Sequence, residues 1–234
     1  MIKQLFYPQT SAFTYLVADP VEYKACLIDP VKGEASCYLS LLEKTGLSLT
    51  AVADTHTHAD HITATGDLRI LTGCDIAGSS DSQAQGITLP LDDGDCLPVG
   101  KIGLQFIKTP GHTSDSGCFY VKEFYMKEQP EYLLTGDTLL IGSCGRTDFQ
   151  NGSARELWHS LHDKLMCLPE NLTVYPGHDY NHHSSSSIGK EVHENPKLQL
   201  SEEAFIACME QSGSGQPKHI KETVPANLRC GRDW

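Results

Sequence analysis

Four potential metal ligands fall within six residues of this chain, in the run Thr55-His56-Thr57-His58-Ala59-Asp60-His61. The apolar segment 51–55 reads as a short strand and leads straight into it. Ligands at this spacing cannot share one helix face, where neighbours recur every three or four residues. At a strand-to-helix turn they can converge on one point. Imidazole nitrogen with carboxylate oxygen suits zinc, iron or manganese. Three further candidates stand in glycine-flanked turns after apolar segments: Gly111-His112, Gly136-Asp137 and Gly177-His178. Glycine there lets the backbone turn sharply and present the ligand at a sheet edge. A lone histidine or aspartate in a loop is ordinarily a surface group. Four such elements in order at strand ends weigh instead toward a metal site.

The surrounding pattern alternates apolar strands with amphipathic helices. Strands are expected at 13–18, 25–29, 51–55, 87–91, 104–109, 118–121, 132–135 and 172–175. Helices are expected at 34–45, with Tyr38, Leu39 and Leu42 inward and Gly46 as the stop, and at 62–72, 153–168 and 201–211. The third helix is the clearest. Ser153 and Glu156 form a capping box, and Leu157, Leu161 and Leu165 its apolar face. Phe205 and Met209 lie one turn apart in the last. Strands with helices interspersed in both halves imply helices on both faces of a two-sheet core. Composition alone does not select this over other α/β arrangements. The reading is one domain over 1–234 with a short C-terminal tail, reached through the flexible segment 212–215.

The 234 residues, 39% hydrophobic and 21% charged, are ordinary for a globular protein able to bury its own core. A formal charge of -12 repels phosphate backbones and anionic bilayers, so neither nucleic acid nor a membrane is expected as a partner. An anionic substrate needs local cations to offset that field. The nine cysteines are scattered and contain no CxxC, which reads as reduced thiols in a cytoplasmic setting. No signal peptide or membrane-length apolar run is visible. His159, His162, His182, His183, His193 and His219 read as surface or structural residues.

The run from His56 to His61, followed in order by His112, Asp137 and His178, resembles the metallo-β-lactamase superfamily. Within it the chain is most similar to the persulfide dioxygenases, also called sulfur dioxygenases. The specific likeness lies in Arg146-Thr147-Asp148-Phe149-Gln150 and in the tail Val224-Pro225-Ala226-Asn227-Leu228-Arg229-Cys230-Gly231. The resemblance implies an α/β fold, the metallo-β-lactamase-type αββα sandwich of two mixed β-sheets flanked by helices. It implies one Fe(II) per chain, held by His56, His112 and Asp137 as catalytic metal ligands. His58, Asp60, His61 and His178 are then supporting groups around that centre. The implied reaction oxidises glutathione persulfide with O2 to sulfite and glutathione, and the implied assembly is a homodimer. The stretch 121–131 is longer than the family's usual spacing, a Gly-Ser insertion precedes the tail, and no appended rhodanese domain is expected.

Every ligand of a dinuclear zinc hydrolase is present too. The alternative is a glyoxalase II-like enzyme in which metal-bound hydroxide attacks a hydroxyacylglutathione thioester. That family carries a longer C-terminal helical region, whereas little beyond one helix and a short tail is expected after His178 here. A β-lactam or other superfamily hydrolase and a non-catalytic sulfur-compound sensor are further rivals. For the two carboxylates of glutathione the expected partners are Arg146, Tyr180 and Arg229. An arginine fork can grip a carboxylate through two parallel hydrogen bonds. The other reading of Arg146 is a loop brace paired with Asp148 or Asp179.

Overall fold

The computed structural model describes residues 1–123, 131–181, 183–211, 215–216 and 219–232. The expectations for His182, for most of the stretch 121–131 and for the linker 212–214 lie outside the described residues. The chain opens with β1 (Ile2–Tyr7), β2 (Ala12–Asp19) and β3 (Lys24–Ile28), then a 3-10 turn at Lys32–Glu34 and α1 (Ala35–Thr45). Next come β4 (Ser48–Ala53), α2 (Thr65–Thr72), β5 (Asp75–Ser79) and β6 (Leu89–Leu91). These six strands form one sheet in the order β1-β2-β3-β4-β5-β6, antiparallel through β3 and parallel beyond it.

The second sheet uses β7 (Cys96–Val99), β8 (Ile102–Lys108), β9 (Gly117–Glu123) and β10 (Tyr132–Gly136). A small ladder follows, β11 (Leu139–Leu140) with β12 (Ser143–Cys144), and then α3 (Ala154–His159). After α3 come β13 (Thr173–Pro176), β14 (Ser186–Ser187), α4 (Ile188–Glu194), α5 (Glu202–Gln211) and α6 (Ile220–Asn227). The sheet order is β14-β13-β10-β9-β8-β7, with only β10 and β13 parallel. Both sheets are mixed, as expected.

Side-chain alternation builds the layers. Along β2, Phe13, Tyr15 and Val17 face the second sheet and meet Leu104, Phe106 and Phe119. Leu16 and Ala18 face the other way, onto Tyr38 and Leu42 of α1 and Leu68 of α2. On the far side Leu133 and Val174 pack against Leu157, Leu161 and Phe205. Each such buried side chain contributes about 1.5–3 kcal/mol. Two sheets between two helical layers are the αββα sandwich.

The departures from the sequence reading have local causes. α2 starts at Thr65, not residue 62, because the preceding backbone is spent elsewhere: Lys32 N donates to Ile62 O, Thr63 bridges to Val31, and Ala64 N donates to Pro30 O. The helix read at 153–168 begins with the Ser153 hydroxyl accepting from Glu156 N, but Ser153 N donates to Gly111 O, so only one half of the expected capping box forms. It then widens into a π-helix at Ser160–Leu165, where Met166 N bonds to Leu161 O. That shift lets the Ser160 hydroxyl donate to Pro110 O at 2.7 Å, bracing the turn before His112. Inserted turns of this kind recur beside functional sites. β1, β5, β7, β14, α4 and α6 were not legible as elements. β7 carries Pro98, which an edge strand tolerates.

Candidate metal centre

The ends of β4, β8, β10 and β13 bring the expected ligands to one edge of the sandwich. His56 follows β4, His112 follows β8, Asp137 directly follows β10 and His178 follows β13. The two sheets are joined at this edge, since Phe13 N donates to Gly177 O and Gly177 N to Gly136 O. Gly111 has φ 138°, and a Cβ there would lie 2.2 Å from Leu157 N of α3. Gly136 has φ 48°, and its Cβ would meet Thr55 Oγ1 at 2.5 Å. These two glycines do make the sharp turns read from sequence. Gly177 does not take a left-handed conformation; it is small because Asp137 Oδ1 passes 2.7 Å from where a Cβ would be.

Ligand atoms of His56, His112 and Asp137 all lie within 4.8 Å of one another. His112 Nε2 is 3.7 Å from Asp137 Oδ2. The remaining polar atoms of the trio are each held. His112 Nδ1–H donates to the Arg146 carbonyl at 2.7 Å, leaving Nε2 free toward the centre. His56 Nδ1–H donates to Thr55 Oγ1 at 3.0 Å, and that hydroxyl donates on to Asp29. Asp137 Oδ1 accepts from His178 Nδ1 at 2.7 Å. Two neutral imidazoles and one carboxylate, each oriented from behind, form a donor set that fits a divalent transition metal.

The other four residues form two hydrogen-bonded clusters beside this trio. His178 Nε2 donates to Asp60 Oδ2 at 3.0 Å, so one imidazolium bridges two carboxylates. His61 Nδ1 donates to the same oxygen at 2.9 Å. His58 Nε2 donates to Asp29 Oδ1 at 3.1 Å. The Nδ1 of His58 and Nε2 of His61 are buried without a hydrogen-bond partner. Together with Asp60 they form a second set of candidate ligand atoms, again within 4.8 Å.

Electrostatics follow from these contacts. Burial, and then the neighbouring imidazoles of His58 and His112, push His56 down to about 3. Burial opposes the charged form of His58 as well, but the charge and hydrogen bond of Asp29 outweigh it and raise His58 to about 9. Burial likewise opposes charge on Asp137 and His178, and their mutual attraction prevails: the carboxyl titrates far below its usual range and the imidazole well above. The pH dependence of the metal-free fold has a definite sign. Histidine in the unfolded chain titrates near about 6.5. Below that, the unfolded state takes a proton that His56 refuses down to about 3, so stability falls as pH falls. Above it, the stability supplied by protonated His58 is lost as pH rises through about 9. Asp54, whose carboxyl is raised to about 7 by burial, opposes the acid limb, so the alkaline limb carries the prediction: the melting temperature of the metal-free protein is expected to fall from about pH 7 to 9. A melting temperature still rising from pH 7 to 9 would contradict this.

Several partners were missed in the sequence. Asp29, read only as the end of a strand, accepts from Thr55 N at 2.6 Å, from Thr55 Oγ1 at 2.9 Å and from His58. Its φ of 53° is uncommon outside glycine and marks a constrained position. A carboxylate ending a buried strand beside the histidine-bearing strand was the available signal. Asp115 accepts from Thr57 Oγ1 at 2.6 Å and Thr113 Oγ1 at 2.7 Å. It borders a cavity of about 120 Å³ with Thr57, Gln150, Asn151 and Leu228.

The expected glutathione contacts fare differently. The Arg146 guanidinium grips Asp148 through two bonds of 2.6 Å, donates to Gly215 O and covers the Phe149 ring. It has the contacts of the brace reading, and its own carbonyl orients His112. Tyr180 is 67% exposed and lies parallel to His178, with centroids 6.0 Å apart. Arg229 donates to the Arg232 carbonyl beyond α6. Of the other histidines, His162 stacks on Trp158 at 4.0 Å, His159 pairs with Asp163, and His193 and His219 are exposed. His183 lies four residues from Asp179, 3.6 Å away.

Comparison with known proteins agrees with this fold. The family model of the metallo-beta-lactamase superfamily matches residues 9–178. Mouse (Mus musculus) persulfide dioxygenase ETHE1, mitochondrial, is 42% identical over 232 residues, which cover 99% of this chain and 89% of that relative. The solved structure of ETHE1 from Myxococcus xanthus superposes with a TM-score of 0.94 at 41% identity, covering 99% of this chain and all of that one. A metallo-beta-lactamase from Staphylococcus aureus subsp. aureus COL gives a TM-score of 0.91 at 26% identity, over 100% of this chain and 73% of its own.

Proposed function

We infer the reaction of this chain from its family: it belongs to the metallo-β-lactamase superfamily and, within it, to the persulfide dioxygenases, and it is an enzyme that oxidises persulfide sulfur with O2. We propose that its substrate is glutathione persulfide, its metal a single Fe(II), and its ligands His56, His112 and Asp137. The observation that carries the proposal is the converged two-His, one-carboxylate set, in which every non-ligating polar atom already has a partner. A facial set of this kind leaves iron with open positions, and iron supplies the redox capacity that brings persulfide sulfur and O2 together.

The protein's own part is orientation and proton control. Asp29 and the Arg146 carbonyl fix the two imidazole tautomers through Thr55 and directly. His178 shares its protons between Asp137 and Asp60 and so keeps the Asp137 carboxylate ionised. Glutathione persulfide, O2 and water balance to glutathione and sulfite with release of two protons. Oxygen uptake equal to sulfite formed, with no turnover of S-lactoylglutathione, is the expected result in an iron-loaded sample. Thioester hydrolysis without oxygen uptake would reject the proposal.

A second reading has one observation in its favour. The unpartnered, buried His58 Nδ1 and His61 Nε2 beside Asp60 could take a second ion, as in a dinuclear thioester hydrolase of the glyoxalase II type. Against it, His178 spends both ring nitrogens on Asp137 and Asp60. We therefore assign His58, Asp60, His61 and His178 a supporting role.

For the glutathione carboxylates we retain Arg146, Tyr180 and Arg229. Binding by Arg146 requires its fork to leave Asp148. Arg146→Ala is then expected to raise KM for the persulfide by roughly 10- to 100-fold, the loss of a charge-assisted hydrogen bond, with iron content unchanged. A variant that loses iron or melts early at unchanged KM assigns Arg146 as the brace of the His112 loop. The proposal extends to a homodimer in a reducing, cytoplasmic setting. The homodimer is supported by the family resemblance and the reducing setting by the nine free cysteines. No helix among the described residues is long and apolar enough to cross a membrane.

A further inference from the structure

We propose that Asn227 of α6 is a positioning residue for the metal loop, and that α6 and the bound metal stabilise one another through it; the proposal rests on the reading of His56, His112 and Asp137 as the metal site. The Asn227 side chain is 4% exposed and uses its hydrogen-bonding groups on one short segment. Nδ2 donates to His58 O and to His61 O, both at 2.8 Å, and Oδ1 accepts from Thr63 N at 2.9 Å. One turn earlier on the same helix, the Thr223 hydroxyl donates to Ala59 O at 2.6 Å. Four main-chain groups between residues 58 and 63 thus find their partners on two side chains of α6. Left alone, each would be a buried polar group without a bond, a costly condition.

The arrangement admits only one amide orientation. Two carbonyls demand the NH2 and one N–H demands the oxygen, so no other side chain of this size satisfies all three. The held segment carries Asp60 and His61. Asp60 binds His178, and His178 binds Asp137, so the placement of the loop reaches the proposed metal ligand through hydrogen bonds alone. His56 lies two residues before the first clamped carbonyl. A helix 164 residues further along the chain therefore sets the shape of the ligand loop. Linkage then works in both directions: if α6 favours the metal-binding shape of the loop, bound metal must favour the docked α6.

The test uses the full-length protein, metal-free and loaded with Co(II). Amides of residues 220–231 are expected to exchange at least about tenfold more slowly with Co(II), a coupling of ordinary size, and those of α5 are expected to change less. Unchanged exchange in 220–231 with Co(II) bound would overturn the proposal. Two variants sharpen it. Asn227→Asp keeps the shape but turns both donors into acceptors facing carbonyls, and should weaken Co(II) by about 10- to 100-fold. Asn227→Ala opens room for a water that can donate to the same carbonyls, and should weaken Co(II) less. A residue that only fills space gives the reverse order, which would also overturn the proposal. His112→Ala is the control for the site itself. If it binds Co(II) as the unmodified protein does, the metal-site reading has failed and takes this proposal with it.

Discussion

Asp137→Ala, purified without oxygen, is expected to hold essentially no iron and to show no persulfide-dependent oxygen uptake above background. Two effects add. The trio loses its only carboxylate, leaving two neutral imidazoles that cannot balance the charge of a divalent ion. In addition, the His178 imidazolium loses the acceptor 2.7 Å from its Nδ1, and a buried positive charge then sits where the metal belongs. Removing an outer partner typically costs about 10- to 100-fold in metal affinity or activity. Loss of the ligand itself must exceed that. His178→Ala is the measured comparison: it should keep iron and fall only within that smaller range. Metal analysis of the two variants side by side decides the ranking. An Asp137→Ala protein that keeps its iron and its activity contradicts the ligand assignment.

Asp29→Ala is expected to produce the largest loss of stability of any single change at the site. Three donors converge on this carboxylate, which is 3% exposed: Thr55 N, Thr55 Oγ1 and His58 Nε2. Breaking a buried ion pair by removing one member costs about 3–5 kcal/mol. In a chain of this size that lowers the melting temperature by roughly 6–20 °C at about 2–4 °C per kcal/mol. The loss should be seen in the metal-free protein, because the contacts exist without metal. His58, no longer held up to about 9 by its partner, should titrate lower, and this is readable by NMR. Iron affinity should drop as well, since Thr55 then loses the acceptor that fixes the His56 tautomer. Denaturant unfolding within about 1 kcal/mol of the unmodified protein, a surface-like effect, would show that Asp29 is dispensable.

The pattern of what the sequence revealed has a physical basis. The candidate ligand residues were legible because glycine turns and histidine spacing are local signals: Gly111 and Gly136 take the positive φ that their motifs imply. Strands such as β2 and β3 were legible because burial on both faces leaves nearly continuous apolar runs. β5 was hidden by its small residues, and β1 and β7 by their edge positions. The supporting partners were hidden for a different reason. Asp29 pairs with His58 across 29 residues and Asn227 with His58 across 169, and no local pattern carries such distances. The Arg146 carbonyl is invisible in principle, because a backbone oxygen has no side-chain identity to read. The π-turn at Ser160–Leu165 is of the same kind: its leucines keep a helical spacing, and only the demand of Pro110 for a partner reveals the insertion.

The central claim is that one iron sits in the set His56, His112 and Asp137 while His178 keeps the adjoining positions closed. Metal content of the anaerobically purified protein, measured together with its oxygen uptake on glutathione persulfide, tests it most directly. One iron per chain, lost in His112→Ala, with oxygen consumed in step with sulfite, is the result expected here. Two metal ions per chain, with His58, Asp60, His61 and His178 required for the second and thioester cleaved without oxygen, would contradict it.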